Sequence, residues 1–260
     1  YYLIRSLVKE SVKKSLISDV PISVAASGGL DSSILQNELL NLGEKIELIS
    51  FVFKEKKISE QRFVKEISKK TSFKANYFRI SSDNFKKNIN DSIEILEEPF
   101  AGLPIISYLL CVKKLAKTKV ILDGSGLDEA NCGYDKYRNL RKNNFLIAQD
   151  GSLSVRKNII HSKLNNKFTQ EKIYKPFKAK FKNEMFADIF FIKLPRALRF
   201  RDKLSMRYGK EIRPCFLDKK LILTLLKLDY KFHYHKGFGK RILRDTFEDE
   251  ISKKIAFTKK

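Results

Sequence analysis

The chain has 260 residues, with 53 Lys and Arg against 30 Asp and Glu, which gives a net charge of +23. Hydrophobic residues at 43% and aromatic residues at 12% exclude a disordered chain, and no apolar run approaches the roughly 20 residues that cross a bilayer. The three cysteines are widely spaced and include no CxxC pair, so they do not make a disulfide framework, give no sign of a zinc site and favour a cytoplasmic protein.

Short apolar runs alternate with amphipathic stretches through the first half of the chain. The predicted elements are, in chain order, a helix at 3–17, a strand at 22–26, a helix at 31–42, a strand at 46–53, a helix at 59–71, a strand at 75–80, helices at 83–97 and 104–117, and a strand at 119–122. Because parallel strands are joined through helices that cover the faces of the sheet, this alternation predicts an α/β fold with a doubly wound parallel sheet.

The pattern changes after about residue 140. Strand signals fade, and apolar residues recur at helical spacing over 185–200 and 216–228. The segment 141–180 is polar and basic with little periodicity, and we expect it to be an excursion from the packed fold. We therefore predict an α/β core over 1–140 and a mostly helical part over 141–260, which packs on the core and is truncated at its C-terminus.

The segment AASGGLDSS at 25–33 lies between a predicted strand and a predicted helix. Gly28 and Gly29 allow a tight turn and a close approach to an anion, and the N–H groups that begin the helix favour phosphate. Asp31 suits this setting only if it holds Mg²⁺, which in turn holds the phosphates. The competing interpretation is an ordinary strand-to-helix turn with a polar cap. We favour the nucleotide-phosphate role, although the segment has neither the Lys of a Walker A loop nor the third Gly of a dinucleotide fingerprint.

This loop resembles the SGGxDS pyrophosphate loop of the ATP pyrophosphatases, which cleave ATP between its α and β phosphates. Other segments resemble signatures of one branch, the asparagine synthetase family, in the same order along the chain. They are SDVPISVAASGGLDSS at 18–33, EEPF at 97–100, ILDGSGLDEANCGY at 121–134 and FRDKLSMRYGKEIRPCFLD at 200–218. The resemblance covers the whole chain and implies the synthetase domain of that family, with a sheet of the adenine-nucleotide α-hydrolase type.

The resemblance implies roles for individual residues. The implied ATP-binding and pyrophosphate-binding residues are Ala25, Ser27, Gly28, Gly29, Asp31, Ser32, Phe53 and Gly124. Asp31 and Asp128 would share Mg²⁺, and Lys260 of the final Lys-Lys pair would stabilise the leaving pyrophosphate. For Asp128 the alternative is a negative charge that stabilises a helix N-terminus, and we favour the metal role.

The chain departs from the family pattern at Gly124-Ser125-Gly126, where an acidic residue usually stands between the glycines. In aminating members that acid can organise ammonia, and the neutral Ser125 has no charge for this task. ATP binding is therefore expected, whereas asparagine as the product is not implied. Glu211 and Arg213 in the third signature have two interpretations of equal weight, as substrate contacts or as a structural ion pair.

The implied activity is that of an AMP-forming carbon–nitrogen ligase. ATP with Mg²⁺ adenylates a small-molecule carboxylate, and ammonia or an amine then displaces AMP, with ammonia supplied by a glutaminase domain or another source outside this chain. Two alternatives stay open. A tRNA-modifying ATP pyrophosphatase would explain the +23 charge, although the basic residues are spread along the chain as on a solvated surface, so nucleic acid is not the favoured partner. A non-catalytic nucleotide-binding scaffold would explain Ser125.

Overall fold

The computed structural model describes residues 1–53, 59–100, 103–115, 117–140, 174–235, 237–252 and 255. The strands are β1 Ile22–Ala25, β2 Glu47–Phe53, β3 Ala75–Ile80, β4 Val120–Asp123, β5 Glu211–Pro214, β6 Tyr234–His235 and β7 Phe238–Gly239. The helices are α1 Tyr2–Ser15, α2 Leu30–Asn41, α3 Gln61–Thr71, α4 Ser82–Leu96, α5 Leu103–Lys114, α6 Leu127–Ala130, α7 Asp135–Leu140, α8 Lys180–Phe190, α9 Lys193–Met206, α10 Lys219–Lys227, α11 Tyr230–His233 and α12 Arg241–Thr246.

Within these residues, a five-stranded sheet has the order β3-β2-β1-β4-β5, and all of its neighbouring strands are parallel. The chain moves from β1 outward to β3 on one side and then returns to place β4 on the other side of β1. The predicted doubly wound α/β fold is confirmed. The reversal between β1 and β4 creates a crevice at the carboxyl ends of these two strands, which is where such sheets bind their ligands.

The helix α2, which leaves β1 at this crevice, is buried on almost every side. Its apolar residues Ile34, Leu35 and Leu39 are fully buried and join the main core with Val24 and Leu48 of the adjoining strands. Because α2 packs against α1 and α3 while lying on the sheet, its N-terminus is held rigidly beside the end of β1. Two short helices, α6 and α7, follow β4 in the chain.

The second part of the chain adds the strand β5 to the sheet, within the part that the sequence predicted to be mostly helical. β5 is four residues long and pairs with β4 from Glu211 opposite Val120 to Pro214 opposite Asp123. It is short, charged and at the sheet edge, so its ladder with β4 stabilises it where its own sequence does not. The helical stretch predicted at 185–200 forms two helices, α8 and α9, and the stretch at 216–228 contains α10.

Most of the predicted excursion over 141–180 lies outside the described residues, apart from its last part from 174 onward. Among the described residues, no helix is both long enough and apolar enough to cross a membrane.

Candidate active site

The turn after β1 has the conformation that only glycine adopts easily. Gly28 has φ of 72°, and a Cβ placed on it would lie 2.7 Å from Cβ of Phe63 and 3.2 Å from the carbonyl oxygen of Glu60. Both the backbone and the space therefore require glycine at this position. The turn ends at Gly29, the residue before α2, so the backbone N–H groups of the first helical turn face the crevice at the end of β1.

The serines of the loop fix its shape. Ser32 is buried, and its Oγ accepts a hydrogen bond from the backbone N–H of Ser27 at 3.2 Å and another from Nε2 of Gln36 at 2.8 Å. The exposed Ser27 accepts a hydrogen bond from the N–H of Gly29 at 3.3 Å. Ser32 therefore stabilises the loop from its buried side, whereas Ser27 lies at the exposed surface of the loop.

The end of β4 lies against this loop at Gly124. A Cβ on Gly124 would lie 3.4 Å from Cβ of Asp31 and 3.4 Å from the backbone nitrogen of Ser32. The glycine thus allows the loop after β4 to contact the first turn of α2. Residues 124–128 are brought to the same crevice as the predicted phosphate loop.

Two carboxylates and one ammonium group form what we call the lysine cluster, made of Asp31, Asp128 and Lys240. Nζ of Lys240 lies 2.7 and 2.6 Å from the two carboxylate oxygens of Asp31 and 2.7 Å from Oδ1 of Asp128. The three side chains are 13%, 16% and 4% exposed, respectively. The predicted partnership of Asp31 and Asp128 is therefore present in space, with a cation between them.

The cluster leaves no room for a larger residue at Gly133, because a Cβ there would overlap the Asp128 carboxylate and come within 2.5 Å of Cε of Lys240. Lys240 itself has φ of 58° and donates its backbone N–H to the carbonyl of Asn131 at 2.9 Å. Since a positive φ is costly for lysine, the packing around Asn131 and Gly133 holds Lys240 in place.

A second cation faces the two carboxylates from the next turn of α12. Arg244 donates from Nε to the carbonyl of Gly239 at 2.7 Å. Burial lowers the pKa of its guanidinium, and the charges of Asp31 and Asp128 oppose that shift. The sequence analysis missed both Lys240 and Arg244. The sequence does contain two cations four residues apart, Lys240 and Arg244 in the string GKRILR. With 53 basic residues in the chain, this spacing does not distinguish them from the others.

The carboxylate pair has the donor chemistry that Mg²⁺ requires. Magnesium is typically held by one or two carboxylates together with substrate phosphates, rather than by a closed cage of protein ligands. No group of three or more His, Cys, Asp or Glu side chains within the described part of the chain could hold a metal alone. Asp31 and Asp128, beside the N-terminus of α2, therefore fit an ion that arrives with a polyphosphate.

A second group, which we call the arginine cluster, lies at the end of β4 and consists of Asp123, Ser125 and Arg201. Nη1 of Arg201 lies 2.9 and 3.1 Å from the two oxygens of Asp123 and also contacts Oγ of Ser125. The backbone N–H of Ser125 donates to Oδ1 of Asp123 at 2.7 Å. The Asp123 carboxylate raises the pKa of the Arg201 guanidinium, so this group stays charged.

Glu129 lies between the two clusters. It is 4% exposed, and its Oε1 accepts a hydrogen bond from the Tyr134 hydroxyl at 2.7 Å. Burial raises the pKa of the Glu129 carboxyl, and the neighbouring charge of Asp128 raises it further. Lys193 lies in the same group of residues, with its Nζ 3.2 Å from the centre of the Tyr134 ring.

Other residues that the sequence put forward lie away from the two clusters. Glu211 pairs with Arg213, Nε to Oε1 at 2.8 Å, and Arg213 also donates to the carbonyls of Ser15 and Ile17 at the end of α1. Glu211 pairs with Val120, the first residue of β4, and therefore lies at the amino ends of the strands, whereas the crevice lies at their carboxyl ends. Both side chains are thus engaged in an ion pair, and the choice between a structural role and a substrate contact stays a prediction.

Ala25 and Phe53, two of the residues for which the family resemblance implies ATP binding, end neighbouring strands. Ala25 is the last residue of β1, and Phe53 ends β2, which runs four residues beyond Ile49, the partner of Ala25. Phe53 packs against Phe51 and against the cluster around Ile80. Lys260 lies outside the described residues, so its role stays a prediction.

A parallel five-stranded sheet with a glycine turn between its central strand and the following helix defines an α/β protein of the doubly wound class. The sequence profile of the family described as asparagine synthase matches residues 3–260. The chain belongs to the asparagine synthase family.

Curated relatives carry the same family name. The chain is 26% identical over 136 residues to glutamine-hydrolyzing asparagine synthetase 1 of Bacillus subtilis (strain 168), which is 52% of this chain and 22% of that protein. It is 24% identical over 272 residues to glutamine-hydrolyzing asparagine synthetase 3 of Arabidopsis thaliana, which is 95% of this chain and 39% of that protein. The chain thus spans less than half the length of these relatives.

Proposed function

We propose that this chain is the ATP-using synthetase domain of an AMP-forming amide ligase. The observation that carries the proposal is the convergence of Asp31 and Asp128 on Nζ of Lys240, beside the N-terminus of α2. Negative and positive groups are needed together for this chemistry, because carboxylates hold a divalent cation while N–H and ammonium groups hold phosphate oxygens. Family membership over residues 3–260 supports the same assignment.

The reaction proposed for this site has two steps. A carboxylate oxygen of the acid substrate attacks the α-phosphorus of ATP, the bond from that phosphorus to the bridging oxygen breaks, and pyrophosphate leaves with that oxygen. Ammonia or an amine then attacks the carbonyl carbon of the acyl-adenylate and loses a proton, and AMP leaves with the former carboxylate oxygen. The nitrogen source and any glutaminase partner belong to the part of the proposal that lies outside this chain.

The residues of the chain contribute positioning and charge. The loop at Gly28 and Gly29 and the N–H groups of α2 hold the phosphates in line with the attacking oxygen. Bound Mg²⁺ would supply charge neutralisation of the phosphate oxygens, with Asp31 and Asp128 as its protein ligands. Lys240 and Arg244 place positive charge where pyrophosphate develops its negative charge. Lys260 is proposed to assist at the same place.

The buried setting of the site is useful for the second step. An acyl-adenylate is lost to hydrolysis if water reaches it. Lys240 and Glu129 are each 4% exposed, which supports limited access of water on this side of the site. The division into a core over 1–140 and a second part over 141–260 remains part of this proposal, with the addition that β5 of the second part extends the sheet.

Exchange of labelled pyrophosphate into ATP tests the proposal on the full-length protein. With Mg²⁺ and a panel of carboxylic acids, we expect exchange that depends on one class of acid. Asp31→Asn keeps the side-chain volume and removes the charge, so exchange should fall by roughly 100-fold or more. Asp83→Asn, on the exposed first turn of α4, is the matched control and should leave the rate unchanged. Acid-dependent exchange that survives in Asp31→Asn would refute the assigned site.

A further inference from the structure

The ammonium group of Lys240 lies where a divalent cation would bridge the two carboxylates of the lysine cluster. Its Nζ is 2.7 and 2.6 Å from the two oxygens of Asp31 and 2.7 Å from Oδ1 of Asp128. Magnesium binds carboxylate oxygens at about 2.0–2.1 Å. An ion that bridges these three oxygens at that distance takes the place of the ammonium, so the ammonium and the ion cannot both pair with the same oxygens.

The ammonium group needs another negative partner before it can leave the two carboxylates. The side chain of Lys240 is 4% exposed, so water has little access to it. A cation that loses its partners in such a place remains desolvated and has no compensating attraction. Because Asp31 lies in the first turn of α2, where the nucleotide is proposed to bind, a phosphate oxygen would be the replacement partner.

The packing around Lys240 limits how far the residue can move. Its backbone N–H donates to the carbonyl of Asn131 at 2.9 Å. Its Cε lies so close to Gly133 that a Cβ on that glycine would be 2.5 Å away. Since the backbone is held and the side chain is packed, we expect Lys240 to change partners through rotation of its last side-chain bonds.

The balance of charge favours the same sequence of events. The ammonium of Lys240 cancels half of the negative charge of Asp31 and Asp128, so the pair attracts a free divalent cation less strongly than two unpaired carboxylates would. The phosphates of a nucleotide bring further negative charge, and their oxygens are ligands for the metal as well as for the ammonium. A nucleotide therefore turns a poor site for a free metal into a good one.

We propose that Lys240 prevents Asp31 and Asp128 from binding a free divalent cation, so that the metal enters this site only together with a nucleotide whose phosphates pair with the ammonium. The two ligands are then coupled: the nucleotide raises the affinity for the metal, and the metal raises the affinity for the nucleotide by the same factor. This inference rests on the proposed function, since it concerns the order in which ligands bind to the same site.

Binding of Mn²⁺, which prefers the same oxygen ligands as Mg²⁺, tests the inference without any turnover. The electron paramagnetic resonance signal of free Mn²⁺ is followed as full-length protein is added in the absence of nucleotide. Lys240→Gln should bind Mn²⁺ roughly tenfold more tightly than wild type or better, and adding Asp31→Asn to that variant should remove the gain. The matched control is Lys219→Gln, at the exposed start of α10, which should bind Mn²⁺ as the wild type does.

A second measurement uses only proteins that keep Lys240, so it does not depend on how well Lys240→Gln folds. The Kd of α,β-methylene-ATP is measured by isothermal titration calorimetry in Mn²⁺ and in EDTA, for wild type and Asp31→Asn. The wild type should bind this nucleotide roughly tenfold more tightly in Mn²⁺, and Asp31→Asn should lose most of the difference. Without nucleotide, the two proteins should bind Mn²⁺ equally weakly.

The results separate this inference from the proposed function. Tight Mn²⁺ binding by the wild type without nucleotide, lost in Asp31→Asn, would overturn the inference and leave the ligase assignment standing. Equally weak binding by wild type and Lys240→Gln would also overturn it, because Lys240 would then not be the group that excludes the metal. Coupled binding of Mn²⁺ and nucleotide, without pyrophosphate exchange for any acid, would support the inference and contradict the ligase chemistry.

Discussion

The lysine cluster and the arginine cluster both lie at the carboxyl ends of the strands, and they differ in charge and in exposure to solvent. In the lysine cluster two carboxylates share one ammonium, and Lys240 is only 4% exposed. In the arginine cluster one carboxylate shares one guanidinium, and Arg201 is 32% exposed. The first has an excess of negative charge in an enclosed place and suits a cation that brings phosphates. In the second, Nε and Nη2 of Arg201 donate to no partner among the described residues, and its side chain is more exposed than that of Lys240.

Substitution of Lys240 should cause the largest decrease in the free energy of unfolding. Lys240→Gln leaves Asp31 and Asp128 in a buried place without the ammonium that pairs with both, and breaking a buried ion pair in this way costs about 3–5 kcal/mol of unfolding free energy. Mg²⁺ should restore part of this loss, because a ligand that binds only the folded state stabilises it. Chemical denaturation of the variant in EDTA and in Mg²⁺ measures both effects.

The exposed Lys219 supplies the control for this prediction, since it has the same charge at the start of α10. Lys219→Gln should have wild-type stability with and without Mg²⁺. If Lys240→Gln were as stable as wild type in EDTA and did not respond to Mg²⁺, the two carboxylates would not form a cation site.

His233, which lies next to the lysine cluster, should make the stability of the protein depend on pH. His233 is fully buried with Nδ1 3.0 Å from Oδ1 of Asn131, whose carbonyl receives the N–H of Lys240. Burial lowers the pKa of His233 from 6.5 to about 4. Between these pH values, the imidazole of His233 therefore binds a proton in the unfolded chain but stays neutral in the folded chain. The free energy of unfolding should fall as the pH drops from 6.5 towards 4, by about 2 kcal/mol at pH 5.

Urea denaturation at pH 8 and pH 5 checks this dependence. His233→Gln should lose less stability than wild type over this interval, by about 2 kcal/mol. The exposed His235, two residues away, is the control, and His235→Gln should follow the wild type. Equal pH dependence in all three proteins would mean that His233 is protonated in the folded state.

Loss of the arginine should cost less stability than loss of the lysine. In Arg201→Gln, the Asp123 carboxylate keeps the N–H of Ser125 at 2.7 Å and gains access to water from the open side. We expect a decrease of about 1–2 kcal/mol in the free energy of unfolding, measured by urea denaturation beside Lys240→Gln. A cost equal to that of Lys240→Gln would mean that the arginine cluster is a structural ion pair.

The sequence predicted the parts of the site whose residues are contiguous. The phosphate loop is a strand, a glycine turn and a helix within nine residues of chain, so local pattern was sufficient. Asp128 could be placed because it follows Gly124 and Gly126 in a recognisable string. The predicted strand at 75–80 has the observed bounds of β3.

The remaining parts depend on contacts between distant residues. Lys240 reaches Asp31 across 209 residues of sequence, and its positive φ is imposed by packing rather than by its own preference. Arg201 comes to Ser125 only because α9 precedes the edge strand β5. The strand β5 itself has charged residues at two of four positions, and only its ladder with β4 makes it a strand. Local pattern contains no signal for these contacts.

Substitution of Glu129 should change the free energy of unfolding least. Whether this free energy rises or falls decides to which cluster the residue belongs. Burial, followed by the charge of Asp128, raises its pKa above the ordinary 4.5, against the opposing hydrogen bond from Tyr134. The folded chain then holds this proton to higher pH than the unfolded chain does. Above pH 4.5 the buried carboxylate lowers the free energy of unfolding, increasingly until the pH passes the raised pKa.

Glu129→Gln keeps the acceptor for Tyr134 and removes the charge, so its stability should gain on the wild type as the pH rises from 4.5 to 8. Urea denaturation across this interval measures the gain, with Glu94→Gln on the exposed face of α4 as the control. A gain means that the repulsion from Asp128 and the burial dominate, so that Glu129 adds to the negative charge of the lysine cluster. A loss at pH 8 means that Arg201, whose pKa Glu129 also raises, stabilises the carboxylate, and that the arginine cluster has a second acid which fills its donors.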